Sequence, residues 1–427
     1  MSSAGEELGG TRGTLVVLRD RNLAPYLLGN LVSTTGTWFH TLAQAILVYR
    51  LTESTVALGV VFFAQFSSVL LLAPWTGTVA DRFDRRHVIV TSQLAAVLLS
   101  AGLTVAAATG HATTPVVIAF AVGLGITSAF ATPAMMAFVT SLVVRRQLAT
   151  ALALQSVTFN LGRVLGPLGA ALVIDSAGTT AAFGVNTLSY LGLVIGTLLV
   201  HPLVPQERPR ERARFRESVE LVARDRKLAA LLCIIAAVNL ATDPATTLGP
   251  AFVTEVLGRE DSLAGVLVAA FGVGAVIAAF AVAHRLRGTW VQLATTLGLA
   301  GLGATAFAFA PNVPVALAAL VVLGFGYLAT NTGATARLQV SVADAQRGRV
   351  MALWSIAFLG VRPIGSLLDG ILASWAGLRI AAFAIAIPAI LAAVALVVAG
   401  VRSGRRRTSA AGAAATSRMS DVRRGLE

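Results

Sequence analysis

Residues 153–178 read ALQSVTFNLGRVLGPLGAALVIDSAG, and residues 352–377 read ALWSIAFLGVRPIGSLLDGILASWAG. The two stretches align without a gap at a constant offset of 199. Ala153, Leu154, Ser156, Phe159, Arg163, Gly166 and Gly178 meet Ala352, Leu353, Ser355, Phe358, Arg362, Gly365 and Gly377. Each stretch is an apolar run long enough to cross a ~30 Å hydrocarbon core as a helix. Each also carries one arginine at the same place in its middle. A duplicated apolar segment half a chain apart predicts a membrane protein built as two parallel, related halves.

The rest of the chain agrees. It has 427 residues, 56% hydrophobic and 12% charged, with a mean hydropathy of +0.79. Soluble domains carry about a quarter charged residues, so lipid must solvate most of this surface. Apolar spans lie at about 26–50, 55–80, 87–110, 114–138, 150–174 and 179–201, then at 228–254, 262–284, 289–310, 313–336, 350–375 and 378–401. They lack the two-residue alternation of a membrane barrel. The expected fold is therefore all-α, with twelve transmembrane helices in two pseudo-symmetric six-helix bundles. The expected organisation is a first bundle over 1–201, a cytoplasmic linker with an amphipathic helix over 202–227, a second bundle over 228–402, and a disordered basic tail over 403–427.

Charge tests that topology. With the N-terminus inside, 28 of the 33 Lys and Arg residues fall in cytoplasmic segments. Three (Arg50, Arg259, Arg379) fall outside, and Arg163 and Arg362 fall within spans. This is a positive-inside distribution, which puts both termini in the cytoplasm. The net charge of +13 sits in short blocks between apolar runs, so it predicts no nucleic-acid surface. The basic residues are nearly all arginine, which points to a high-GC bacterial genome and hence to the inner (plasma) membrane. The first apolar run, Leu15 to Leu18, is too short for a signal-peptide core, so the first long span is expected to insert uncleaved. Cys233 is the single cysteine, too few for a disulfide or a thiolate metal cluster. No phosphate-binding Gly-Lys-Ser/Thr loop is present. Neither an enzyme nor a metal or other cofactor is expected.

Between the second and third spans stands Gly77-Thr-Val-Ala-Asp81-Arg82-Phe-Asp84-Arg85-Arg86. This resembles the signature loop of the major facilitator superfamily. In that family it acts as a cytoplasmic gating loop, a role that would fall here on Gly77, Asp81, Arg82, Arg85 and Arg86. The fifth span carries Gly162, Gly166 and Gly169 on one face, with Pro167 among them. That pattern is similar to the glycine-proline helix-packing motif of facilitator exporters. Gly36-Thr37-Trp38, Ala43-Gln44, Leu51-Thr-Glu-Ser54 and Leu58-Gly59 add a resemblance to the drug and siderophore exporter branch. Together the similarities run over most of residues 25–375.

Candidate functional residues are the polar groups at membrane depth, which are costly unless they line a cavity or meet a partner. The first span carries Asn30, Thr34, Thr37, Thr41 and Gln44 along one face, with His40 beside them. Asn239, Asp243 and Thr247 recur every four residues in the seventh span. Arg362 and Asp369 share a face of the eleventh. The expected substrate cavity is lined by Asn30, Thr34, Thr37, His40, Thr41, Gln44, Arg163, Asn239, Asp243 and Arg362. Asp243 is the first candidate for proton coupling, with Asp369 and His40 behind it. A fixed Asp369–Arg362 ion pair competes with the coupling role, and Arg163 could equally bind an anion or serve packing. The resemblance implies a monomeric secondary exporter of an amphipathic small molecule, driven by proton antiport across the lipid bilayer. An importer or facilitator of a small metabolite, and a transporter-like sensor or scaffold, are the alternatives. The first span lacks the carboxylate that drug–proton antiporters often have there.

Overall fold

The computed structural model describes residues 20–203, 215–281, 288–342 and 344–399, and these are helical throughout apart from short turns. The N-terminal half runs Ala24–Thr52, Thr55–Arg82, Arg85–Ala108 and Thr114–Leu142, followed by one long helix, Leu148–Leu199. That helix is two spans, because Gly178 leaves helical geometry at φ 81, ψ 173. The second half holds a broken span from Arg226 to Val256, then Leu263–Ala281, Trp290–Ala308 and Val313–Val340. Asp344–Leu359 and Arg362–Ala376 together make the eleventh span, and Leu378–Ala399 is the twelfth.

Ten helices among the described residues are long and apolar enough to cross a bilayer. The long Leu148–Leu199 helix counts there once, although it bends into two spans. Ala24–Thr52 is not among the ten. At 29 residues it is ~43 Å long, and what lowers its apolarity is the polar face the sequence shows. The twelve-helix expectation follows once both are included.

Capping side chains set the boundaries, satisfying helix-end N–H groups that lipid cannot. Ser54 accepts from Ala57 N, Asp84 from Arg86 N, and Asn312 from Val315 N. Thr289 and Gln292 form a capping box. The linker helix ends at Arg224, earlier than the sequence suggests. Asp225 is extended and caps the next helix, accepting from Lys227 N at 2.8 Å. The seventh span is not one helix: Pro244 and Pro250 each remove a backbone donor. It breaks into Arg226–Leu240, Asp243–Thr247, Gly249–Ala251 and a π-turn over Phe252–Val256.

The repeat is visible in the backbone. Gly178 and Gly377, aligned at the 199-residue offset, have φ/ψ of 81/173° and 88/159°. Each ends its arginine-bearing span in a conformation that favours glycine.

The halves meet along two seams, the second span on the eleventh and the fifth on the eighth. A Cβ on Gly59 would lie 2.6 Å from Ser366 O. One on Gly265 would meet Pro167 O and approach Ala171 Cβ at 2.9 Å. No hydrophobic force joins helices in lipid, so such close backbone approach supplies the association. Three polar links close the end away from the basic loops. Arg50 grips Asp261 through Nε and Nη2 at 2.6 and 2.7 Å. Tyr49 Oη donates to Glu255 at 2.6 Å, and Thr55 Oγ1 to Gly370 O at 3.1 Å.

Candidate functional site

The broken seventh span places Asp243 at mid-depth, 1% exposed. Its Oδ2 accepts from Ser366 Oγ at 2.8 Å, and its Oδ1 lies 3.7 Å from Arg362 Nε. This approach depends on Gly365, where a Cβ would stand 2.8 Å from Asp243 Oδ2. Arg362 opens the second segment of the eleventh span, and its guanidinium lies 4.4 Å from the ring of Phe66 in the other half. The carboxylate is therefore tied through one arginine to the interface between the bundles. Arg362 pairs with Asp243, not with Asp369 as the same-face spacing suggested. Asp369 is fully buried, and neither of its oxygens has a hydrogen-bond partner.

Asn239 is buried and donates to Ile235 O and to Asn331 Oδ1, at 2.8 and 3.2 Å. It bridges to the tenth span instead of lining open space. Thr247, beyond Asp243, is buried with an unpartnered hydroxyl.

Arg163 stands at the midpoint of the fifth span, 5% exposed. Three rings surround it, Phe271 at 4.2 Å, with Trp38 and Tyr327 each at 5.1 Å. Beside this cage is a small cavity lined by Trp38, Thr41, Leu42, Pro167, Thr246 and Val268. Of the first-span polar face, Thr41 thus borders inter-bundle space. The others turn elsewhere. Thr34 Oγ1 donates to Asn30 Oδ1 and meets Gly162, while Thr37 Oγ1 donates to Ser33 O. Gln44 is fully buried and donates to Gln65 of the second span at 3.1 Å.

The expectation that His40 lines the cavity is not met. Its ring packs 5.2 Å from Phe183 of the sixth span, and its Nε2 meets Gln44 Oε1 at 3.0 Å. Both contacts are inside the N-terminal half, because the Gly36–His40 edge of the first helix faces the sixth span.

Gly162, Gly166 and Gly169 lie against the first span, where a Cβ would meet Thr34, Trp38 and Phe39 respectively. Of the gating loop, Gly77 and Asp81 fall in the helix Thr55–Arg82, but their side chains lie outside the described residues. Arg82 ends that helix and is exposed. Arg85 donates to Ala137 O at 3.1 Å and Arg86 to Leu198 O, so both bind the loop to its own bundle.

Several residues that build this site gave no signal in the sequence. Phe66, Phe271 and Tyr327 are ordinary apolar-span residues until the fold brings the arginines over them. Ser366 could have been found, since it lies one helical turn after Arg362 on the same face.

Known proteins place this architecture. A family described as transmembrane secretion effector, within the major facilitator superfamily, matches residues 13–421. The chain is 24% identical over 364 residues to the staphyloferrin A transporter of Staphylococcus aureus, covering 82% of this chain and 87% of that one. It is 24% identical over 339 residues to the enterobactin exporter EntS of Escherichia coli, covering 77% and 79%. Among solved structures it resembles a bacterial homologue of the human lysosomal transporter Spinster, crystallised inward-facing and unoccupied. That match has a TM-score of 0.71 and 16% identity, over 91% of this chain and 97% of that one. Twelve helices, a repeat that survives in the backbone and a match over nearly the whole length lead to one statement: the chain belongs to the transmembrane secretion effector family of major facilitator transporters, multi-pass proteins that carry small molecules across membranes.

Proposed function

We propose that this protein is a secondary exporter of amphipathic, drug- or siderophore-like small molecules, working by alternating access with proton antiport. It acts as a monomer in the bacterial inner membrane, with both termini in the cytoplasm. The observation that carries the reading is the position of Asp243. A titratable carboxylate buried at mid-depth is costly and defaults to function. This one is paired with Arg362, which also stacks on Phe66 across the seam. A change in its protonation changes how firmly Arg362 is held, and so how firmly the seam is held. That links proton binding to the rocking of one bundle against the other. Asp369 lies two turns beyond Arg362 on the eleventh span and is a second buried carboxylate, without a hydrogen-bond partner. The direction, export, is supported by the likeness to the enterobactin exporter EntS, and the class of cargo by that protein and the staphyloferrin A transporter together.

The test is proton flux in inside-out vesicles with an acid interior, followed with a pH-sensitive dye. Hydrophobic cations, macrolides and siderophores are added in turn. A compound-dependent loss of the gradient, abolished by Asp243→Asn, is the expected result. If Asp243→Asn behaves as the parent does, the coupling role passes to Asp369. If folded protein responds to no compound, the antiport reading fails.

A further inference from the structure

Arg163 and Arg362 occupy one repeat position, and each reaches across to the opposite half. Arg163 of the first bundle stacks on Phe271 of the second, and Arg362 of the second stacks on Phe66 of the first, at 4.2 and 4.4 Å. The likeness stops at the counter-ion. Arg362 has Asp243 from the seventh span. Arg163 has the Trp38 ring from the first span instead. Among the described residues no carboxylate pairs with Arg163, and its Nε has no hydrogen-bond acceptor. The Tyr327 hydroxyl hydrogen-bonds the guanidinium, and the Arg362 charge repels it.

A buried charge without a counter-ion is costly, and cation–π contacts offset that cost without neutralising the charge. The cage leaves Nε without an acceptor, and a guanidinium takes a carboxylate by two parallel hydrogen bonds of which Nε can supply one. Trp38, one wall of the cage, also borders the small cavity with Thr41.

We propose that the missing counter-ion is supplied by the ligand: Arg163 binds the carboxylate of an aromatic organic anion, whose ring packs among Trp38, Phe271 and Tyr327. This inference rests on the transport reading above and names the chemistry of one subsite within it.

The test uses the purified full chain in detergent and two ligands of the same shape, 2-naphthoate and the neutral 2-naphthamide. Thermal unfolding is followed as each is titrated, since a ligand of the folded state raises the midpoint. Naphthoate should act at a concentration at least about tenfold lower than the amide, the ratio expected of about 1.4 kcal/mol. Arg163→Gln should abolish that preference, and Arg163→Lys should keep part of it. A second readout does not depend on the Arg163 variants folding. In a chain whose other four tryptophans (Trp75, Trp290, Trp354 and Trp375) are replaced by Phe, naphthoate should alter Trp38 fluorescence at a concentration at least about tenfold lower than naphthamide does. Equal action of the two ligands, a preference surviving Arg163→Gln, or a silent Trp38 each overturns the subsite. A protein that moves neutral amphipathic compounds yet shows no preference for the anion keeps the transport reading and loses only this one.

Discussion

Asp243→Asn, Arg362→Gln and the double variant form a cycle that measures the central ion pair. At 3.7 Å two unit charges interact by about 4.5 kcal/mol at an effective dielectric of about 20. Removing one member of a buried pair costs about 3–5 kcal/mol, mostly through the charge left behind. Asn can still accept from Ser366 in place of Oδ2, so Asp243→Asn removes charge and little else. The Arg362 it strands keeps Phe66 and is 19% exposed, which places this variant near the lower end, about 3 kcal/mol. Arg362→Gln strands the Asp243 carboxylate, 1% exposed, beside the already unpartnered Asp369 and should be the less stable of the two. The double variant leaves a neutral hydrogen-bonded pair and should return to within about 1 kcal/mol of the parent, giving a coupling energy of about 5 kcal/mol or more. Unfolding in mixed micelles of rising SDS content, read by circular dichroism, supplies all four corners. A coupling below about 0.5 kcal/mol, the scatter of independent sites, would refute the claim that Asp243 and Arg362 act as one unit.

Three further outcomes follow from the geometry. Gly166→Leu should destabilise the first bundle by about 3 kcal/mol or more through overpacking, because even a Cβ would meet Trp38 and lie 2.7 Å from Thr35 O; a melting point equal to the parent's would show that the fifth span can move away at no cost. Asp261→Asn should weaken the closed end by about 1 kcal/mol, since Arg50 is half exposed; in a Cys233→Ser, Thr55→Cys background, maleimide labelling of position 55 should then rise about fivefold, and an unchanged rate would mean the Arg50 clasp does not hold that end. His40→Phe should leave the pH profile of proton flux within about twofold of the parent, because the ring lies inside one bundle against Phe183; a lost pH dependence would return His40 to the coupling pathway.

The fold was legible because lipid leaves the chain few options. Length, apolar runs and arginine placement yield twelve spans, and Gly178 and Gly377 already carry the repeat in the sequence. The site was legible only in part. Mid-span ionisable residues announce themselves, so Asp243, Arg362, Asp369 and Arg163 could be named. Their pairing could not, because a helical wheel treats the seventh span as continuous. The break between Leu240 and Asp243 turns the carboxylate toward the eleventh span, and same-face spacing alone wrongly joins Arg362 to Asp369. His40 misled for a related reason. A polar stripe marks a face that avoids lipid, but another helix meets that need as well as a cavity does, and here the sixth and second spans take His40 and Gln44.

The duplicated geometry also separates what builds the transporter from what specialises it. Both seams pack on small residues at matching depth, Gly59 against Gly370 in one and Gly265 against Ala171 in the other. Both central arginines stack on a phenylalanine of the opposite bundle. Features present twice hold the two bundles together in this chain whatever it carries. The site departs from the repeat at the partners of those arginines, a carboxylate at Arg362 and an indole at Arg163. A charge balanced from within the protein can answer to a proton. A charge left without an internal partner can answer to a ligand. Ion coupling and ligand recognition would then be divided between the two repeats: Asp243→Asn should abolish proton flux and keep the preference for naphthoate over naphthamide, and Arg163→Gln should remove that preference; loss of the preference in Asp243→Asn would refute the division.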